Sequence, residues 1–328
     1  MVTNGSPQTL QQAIRFYADV DTCQEALIAA RWPDGVECPH CGSKNVTYLT
    51  TQRRWQCKEK PYHARRQFSV KVGTIFEDSP IGLDKWFVAI WLISSAKNGI
   101  SSYEIHRAIG VTQKSAWFML HRIRLAMQTR SFNSQMSGDV EVDETFIGGR
   151  TKWKNYERRR SNPEKSRKGG TAGKVAVMGL LERHDQDHHS KIRLEVLPDT
   201  KQHTLESRVR KHVDPDLSVV MTDANLGYHK LAPDYIHEFV DHVDTYVRGN
   251  VHTNGLENFW ALLKRGLRGT YISVEPFHLF RYLDEQAFRF NSRKQKDGER
   301  FSEMLSRMIG KRLTLADLTG KAEPQSAV

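Results

Sequence analysis

The chain has 328 residues, 38% hydrophobic and 27% charged, with a formal net charge of +11 and an isoelectric point near 9.5. That composition excludes a disordered polyelectrolyte, and the length allows two or three domains with at least one sizeable core. The positive excess favours a polyanionic partner, nucleic acid ahead of an anionic membrane.

No apolar run is long enough to span a bilayer; the longest, "WFVAIWLISSA", is short and mixed. The N-terminal "MVTNGSPQTLQQ" lacks the charged-then-apolar pattern of a signal peptide, so a cytoplasmic protein without a membrane partner is expected. In that reducing compartment Cys23, Cys38, Cys41 and Cys57 are expected as thiols or metal ligands, not as disulfides.

In chain order, residues 8–30 have apolar positions at helical spacing and are expected as one helix. Residues 31–76 are loop- and strand-like. Within them "CPHCG" places Cys38 and Cys41 so that two thiolates grip one tetrahedral Zn²⁺, and Gly42 permits the tight turn. Cys57 supplies a third thiolate after a hairpin-length gap. The partner position of a second Cys-x-x-Cys pair is Lys60, so His63 is the expected fourth ligand and His40 a weaker one. Four protein ligands leave no open position, which makes the zinc structural.

The stretch 77–132 is helical and divides into three helices. Gly99 ends the first, and "SSYE" at Ser101–Glu104 is a capping box that starts the second. "GVT" at 110–112 is a tight turn before a longer third helix. Short helix, glycine turn and longer helix match a helix-turn-helix. Gln113, Lys114 and Ser115, early in the third helix, would face the major groove. Arg122 and Arg124 are expected at phosphates or the surface, and Trp117, Phe118 and Leu120 in the core.

From about residue 137 the pattern changes to β-rich runs: "GDVEVDETFIGG", "GKVAVMGLLER", "KIRLEVLP", "LSVVMTD" and "YIHEFV". The second and fourth are nearly continuous apolar runs, as in strands buried on both faces. "TLESRVRKHV" lies between the third and fourth as a helical crossover. The expected domain is α/β with a mixed sheet, running from 133 to the end with C-terminal helices. Between the first two strands, Arg150–Lys174 carries ten Lys or Arg and two Glu. It is read as a solvated loop and equally as a phosphate-contacting arm, with Arg158, Arg159, Arg160 and Lys168 as its contacts.

Phosphoryl transfer on DNA needs charge stabilised on both the attacking and leaving oxygens. Two Mg²⁺ roughly 4 Å apart achieve this, and they require carboxylate oxygens. Asp143 stands inside a strand, where propensity disfavours it, and shares a face with Glu141. Asp223 ends a buried strand, a usual place for a functional residue; a turn or cap is the ordinary alternative. Glu257 and Lys264 lie seven residues apart on one face of the helix "VHTNGLENFWALLKRGLRGTY", with Asn254 three residues before Glu257. The ordinary roles here are an N-cap for Asn254 or Thr253 and a dipole partner for Glu257. Trp260, Leu262 and Leu263 are expected in the core.

Taken in order, "CPHCG", "QFSVKVGTIFEDS", "WFVAIWL", "KNGISSYEIHRAIGVTQKSAWFMLHRIR", "VEVDETFIGG", "YVRGNVHTNGLENFWALLKRG" and "FRFNSR" resemble bacterial insertion-sequence transposases of the DDE class. The group has an N-terminal zinc ribbon and an ISXO-type catalytic domain related to the Merlin elements. The resemblance covers nearly the whole chain. It implies an RNase H-like domain with two Mg²⁺, for which Mn²⁺ can substitute, and places Asp143 and Asp223 in the first two acidic positions. The third position in the group is Glu or Asn followed by Lys; the spacing to Lys264 favours Glu257, with Asn254 as the alternative. Two departures stand out: the incomplete second Cys pair, and Ala224 where an acid would follow "TD".

The implied activity is phosphodiester hydrolysis at element ends, then attack of the freed 3′-OH on target DNA. Lys264 and Arg265 would contact phosphate, and the partner is double-stranded DNA near the nucleoid, bound by a dimer or larger assembly. A DNA-binding regulator with an inactive nuclease-like domain, and a nuclease without strand transfer, are the alternatives.

Overall fold

The computed structural model describes residues 6–61, 63–128, 134–148, 171, 173–183, 189–223, 228, 231, 233–240 and 252–321; side chains at 223, 239 and 240 are outside the description. Two compact units emerge, residues 1–128 with 294–328, and residues 129–293.

The first unit opens with α1 (Leu10–Phe16) and α2 (Val20–Arg31), where one helix was expected. The break is local chemistry. The Asp19 carboxylate accepts from the Thr22 backbone N–H at 2.8 Å and caps a new helix. A three-stranded antiparallel sheet follows, β1 (Val46–Leu49), β2 (Arg54–Cys57) and β3 (Gln67–Phe68). Next come α3 (Leu83–Ser95), α4 (Ser102–Ile109) and α5 (Gln113–Met127). Trp86, Phe87, Ile90, Trp91 and Ile93 make α3 the centre of this unit, each buried. The capping box at Ser101 and Glu104 forms, Gly110 closes α4 in the left-handed region at φ 63°, and Thr112 caps α5.

In the second unit β4 (Met136–Gly148), β5 (Lys174–Glu182) and β6 (Lys191–Leu197) form an antiparallel meander. Helix α6 (Gln202–His212) crosses to β7 (Val213–Asp223), which pairs parallel with β4; β8 (Ile236–Val240) pairs parallel with β7. The sheet order is β6-β5-β4-β7-β8, the mixed sheet that the run pattern predicts. Helices α7 (Asn254–Gly269) and α8 (Leu279–Asn291) complete the unit. One sheet face packs Val140, Val142 and Met178 with Leu205 and Val209 of α6. The opposite face packs Val177 and Leu181 with Leu256, Phe259, Trp260 and Leu263 of α7 and Leu283 of α8. The strand period of two thus sends Val140 and Val142 to one helix layer and Glu141 and Asp143 to the other.

The last helices, α9 (Asp297–Arg307) and α10 (Leu315–Thr319), were expected in the catalytic domain and instead belong to the first unit. Phe301 of α9 accounts for this: its ring centroid lies 5.3 Å from Tyr17, 5.6 Å from Phe87 and 5.3 Å from Trp91. Among the described residues no helix is long and apolar enough to cross a membrane.

Candidate functional site

Two groups of chemistry-bearing side chains stand out, one in each unit. In the first, Cys38 and Cys41 sit on the turn before β1, Cys57 ends β2 and His63 follows it. Their ligand atoms all lie within 4.8 Å of one another. Cys38 Sγ is 3.4 Å from His63 Nε2, and Cys41 Sγ is 3.6 Å from Cys57 Sγ. A tetrahedral Zn²⁺ at ordinary bond lengths needs edges of about 3.8 Å between sulfurs and about 3.5 Å between sulfur and nitrogen. The donor set therefore fits zinc. His40 is left outside it, with its ring centroid 5.5 Å from that of His63.

Cys23 belongs to another setting. It is fully buried, its thiol donates to the Tyr17 carbonyl at 3.1 Å, and burial first, then Asp84 and Asp19, push its pKa up to about 12. Cys41 goes the other way: a hydrogen bond with the Ser43 backbone is the main influence holding its thiol below the ordinary value.

The second group lies where α7 meets the sheet. Asp143 pairs with Gly179 across the β4–β5 ladder. Trp260 of α7 donates its indole N–H to Asp143 Oδ2 at 2.8 Å, and the Glu144 backbone N–H donates to Oδ1 at 2.8 Å. Both carboxylate oxygens are thereby oriented. Gly179 makes this possible, since a Cβ there would stand 2.6 Å from Trp260 Cζ2 and 2.7 Å from Cη2.

One residue pair deeper, Glu141 is buried at 1% exposure. It accepts the Leu256 backbone N–H at 2.9 Å and Arg183 Nε at 2.8 Å. Arg183 Nη2 also donates to His252 at Nδ1 and at the carbonyl, both at 2.7 Å. The buried carboxylate thus receives a guanidinium and the positive end of α7. Gly255 lets the helix descend this far, because a Cβ there would lie 2.8 Å from Glu141 Oε2 and 2.4 Å from Leu181 Cδ2.

Glu257 stands one turn before Trp260 on α7, and Lys264 one turn after it. Glu257 and Asn254 are exposed and Lys264 is half-buried. Thr253 takes the N-cap position but makes no side-chain cap bond, and Asn254 is the first helical residue. Glu141 pairs with Met221 across the parallel β4–β7 ladder. Two residues further along each strand come Asp143 and Asp223. The backbone of Asp223 closes β7; its side chain and residue 224 lie outside the description. Arg265 is exposed on α7.

On α5, Lys114 is exposed, and Gln113 donates its side-chain amide to Ser102 Oγ at 2.9 Å. Ser115 donates its backbone N–H to the capping Thr112 hydroxyl at 3.1 Å. The surface expectation for Arg122 and Arg124 is corrected, because both are buried, at 5% and 1% exposure. Arg122 donates to the carbonyls of Leu313, Ile75 and Glu77 at 3.0, 2.9 and 2.8 Å. Its charge is spent on joining chain segments. Leu120 is buried as expected, whereas Trp117 and Phe118 are only partly covered. Arg158, Arg159, Arg160 and Lys168 lie outside the described residues.

The polar role of Trp260 and the Glu141–Arg183–His252 network escape sequence reading. An acid at 141, two residues before Asp143 in an apolar strand, is the one signal that pointed there.

Residues 135–291 match a family model for an ISXO2-like transposase domain, and residues 19–59 match one for a transposase zinc-ribbon domain. The ribbon match stops short of His63, whose place rests on the geometry above. The chain is also similar, at 29% identity over 270 residues, to the "Uncharacterized protein in transposable element ISH50" of Halobacterium salinarum, covering 77% of this chain and 85% of that protein. With both models in chain order over more than half its length, and a relative from a transposable element, the chain belongs to the insertion-sequence transposases that join a zinc ribbon to an ISXO2-like transposase domain.

Proposed function

We propose that this protein moves a DNA element by hydrolysing a phosphodiester at each element end and joining the freed 3′-OH to target DNA. In the first step water attacks phosphorus and the P–O3′ bond breaks, leaving a 3′-OH on the element. In the second, that 3′-oxygen attacks a target phosphorus, and a target 3′-oxygen leaves with a proton.

The observation that carries this reading is the indole bond from α7 to Asp143. It sets a helix bearing Glu257 and Lys264 against a strand acid whose parallel neighbour ends at Asp223. In our reading Asp143, Asp223 and Glu257 hold two Mg²⁺, or Mn²⁺ in their place. The metal would neutralise charge at the reacting phosphate and activate the attacking oxygen. Trp260 and the Glu144 amide fix the direction of the Asp143 oxygens, Lys264 holds a phosphate oxygen, and Asn254 is the alternative third acid-site residue. The mixed sheet between two helix layers supports an RNase H-like assignment for this unit.

Zinc has a structural role in the ribbon. The capped pair α4 and α5 supports a helix-turn-helix that, with the ribbon, recognises the element ends through Lys114 and its neighbours Gln113 and Ser115. Arg265 and the basic stretch at Arg158–Arg160 and Lys168 add phosphate contacts. Acting on two ends calls for at least a dimer on DNA, at the nucleoid.

The test is strand transfer with labelled end-repeat duplex, with and without Mg²⁺. Wild type joins DNA only with the metal, and Asp143→Asn does neither step while retaining end binding. Full activity in Asp143→Asn would refute the metal assignment, and cutting without joining would make the protein a nuclease. Glu257→Ala against Asn254→Ala identifies the third residue.

A further inference from the structure

The ribbon sheet is two-faced. Trp55, Cys57 and Phe68 are buried, and the Trp55 and Phe68 rings stack at 6.0 Å between centroids. Arg54 on β2 and Gln67 on β3 are exposed, consistent with their place on the alternate positions of the strands. Arg54 lines a cleft of about 750 Å³ together with His40 of the Cys38–Cys41 turn, Arg65, Arg66, Lys71, Glu77 and Asp78.

The charges along this cleft divide into spent and unspent. Lys71 donates to the Ser79 and Ile81 carbonyls at 3.2 and 2.9 Å. Asp78 accepts from Arg312 Nη2 at 2.7 Å, and Glu77 accepts the Gly73 N–H at 2.8 Å and lies 3.5 Å from Arg312 Nε. Arg312, outside the cleft, thus pairs with both acids and offsets one of their two charges, leaving the four cleft cations Arg54, Arg65, Arg66 and Lys71 in excess. Arg54 and Arg65 are exposed and form no ion pair among the described residues. Exposed guanidinium groups in a polar cleft suit phosphate oxygens, which they grip through paired N–H donors. Of the two rings in the lining, Phe68 is buried at 1% exposure and offers no platform for stacking bases, and only His40 is exposed.

We infer that this cleft seats the sugar-phosphate backbone of duplex DNA through Arg54 and Arg65. It positions the ribbon on DNA without reading sequence. The inference rests on the transposase reading and assigns the ribbon's share of it to phosphate, leaving base readout to other elements.

The test uses the full-length, zinc-loaded protein and fluorescence anisotropy over a salt series, with end-repeat and scrambled duplexes. Each phosphate contact contributes a slope of about 0.9 in log affinity against log salt. The variant R54A/R65A should therefore lower the slope by about 2, so that its deficit shrinks roughly tenfold between about 50 and about 200 mM salt. The preference for end-repeat over scrambled DNA should not change. Zinc content and melting temperature equal to wild type show that the variant is folded. An unchanged slope in that folded variant, with wild type binding DNA normally, overturns the inference and leaves the transposase reading standing. Selective loss of end-repeat binding overturns the phosphate assignment in favour of base contacts. If wild type binds neither duplex, the transposase reading itself fails.

Discussion

In the ribbon, strands of two to four residues bury only a small aromatic cluster at Trp55 and Phe68, and Cys38, Cys41, Cys57 and His63 converge at a point that calls for an ion. In the second unit the order is reversed. A five-stranded sheet packed on both faces holds Asp143 in place, with the Trp260 indole and the Glu144 amide aiming its oxygens. One region is organised around its zinc-ligand cluster; the other is a finished scaffold to which the proposed Mg²⁺ would be added. The difference teaches where damage will show, as stability in the ribbon and as chemistry in the sheet.

The largest expected effect is on the ribbon. Structural zinc contributes about 10–16 kcal/mol to small zinc domains. Chelation, or Cys57→Ser, should abolish protection of the Cys38–Phe68 region in hydrogen exchange while the β4–β7 amides stay protected. Equal protection with and without zinc would erase the distinction between the two regions.

Next comes Glu141→Ala, which leaves the half-buried Arg183 guanidinium beside the α7 N-terminus without its nearest carboxylate, Asp139 lying farther off at 3.9 Å. Removing one partner of a buried pair costs about 3–5 kcal/mol. Chemical denaturation should show that loss in the second unit's transition with ribbon zinc unaffected.

Trp260→Phe keeps the ring over Gly179 and removes only the N–H to Asp143. Losing an orienting partner of a metal ligand lowers metal affinity or activity by about 10–100-fold. Mn²⁺ binding followed by calorimetry should weaken accordingly with little change in melting temperature. An unchanged affinity would mean that Asp143 is held by the strand alone.

The smallest effect is kinetic. In zinc-free protein at about pH 8, alkylation should reach the exposed Cys41 first and Cys23 last. Cys41 has its thiol held below the ordinary value, whereas burial pushes Cys23 up to about 12. Zinc should protect Cys41 and leave the slow Cys23 rate as it was.

Much of this was legible because it is local. Valine, isoleucine and leucine runs mark β5 and β7, the capping box marks α4, and Cys-x-x-Cys marks the ribbon. Asp143 announced itself as an acid inside a strand. What escaped depends on partners distant in sequence. Arg122 is buried because carbonyls at Ile75, Glu77 and Leu313 receive it, and no window around 122 contains them. Phe301 places α9 in the first unit by packing on α3. Trp260 reads as core from its periodicity, and it is buried; only the register opposing Asp143 to Gly179 reveals that its N–H has a second task. The single helix expected over 8–30 failed for the opposite reason, a short-range cap at Asp19 outweighing a longer apolar pattern.

Strands β4 and β5 end opposite one another, with Gly148 paired to Lys174. The two ends of the basic stretch between them are therefore held side by side. Closing a chain excursion grows costlier by only about 0.6 kcal/mol per doubling of length. That makes the stretch an interchangeable cassette. Its length can change while the register that pairs Asp143 with Gly179 stays as it is.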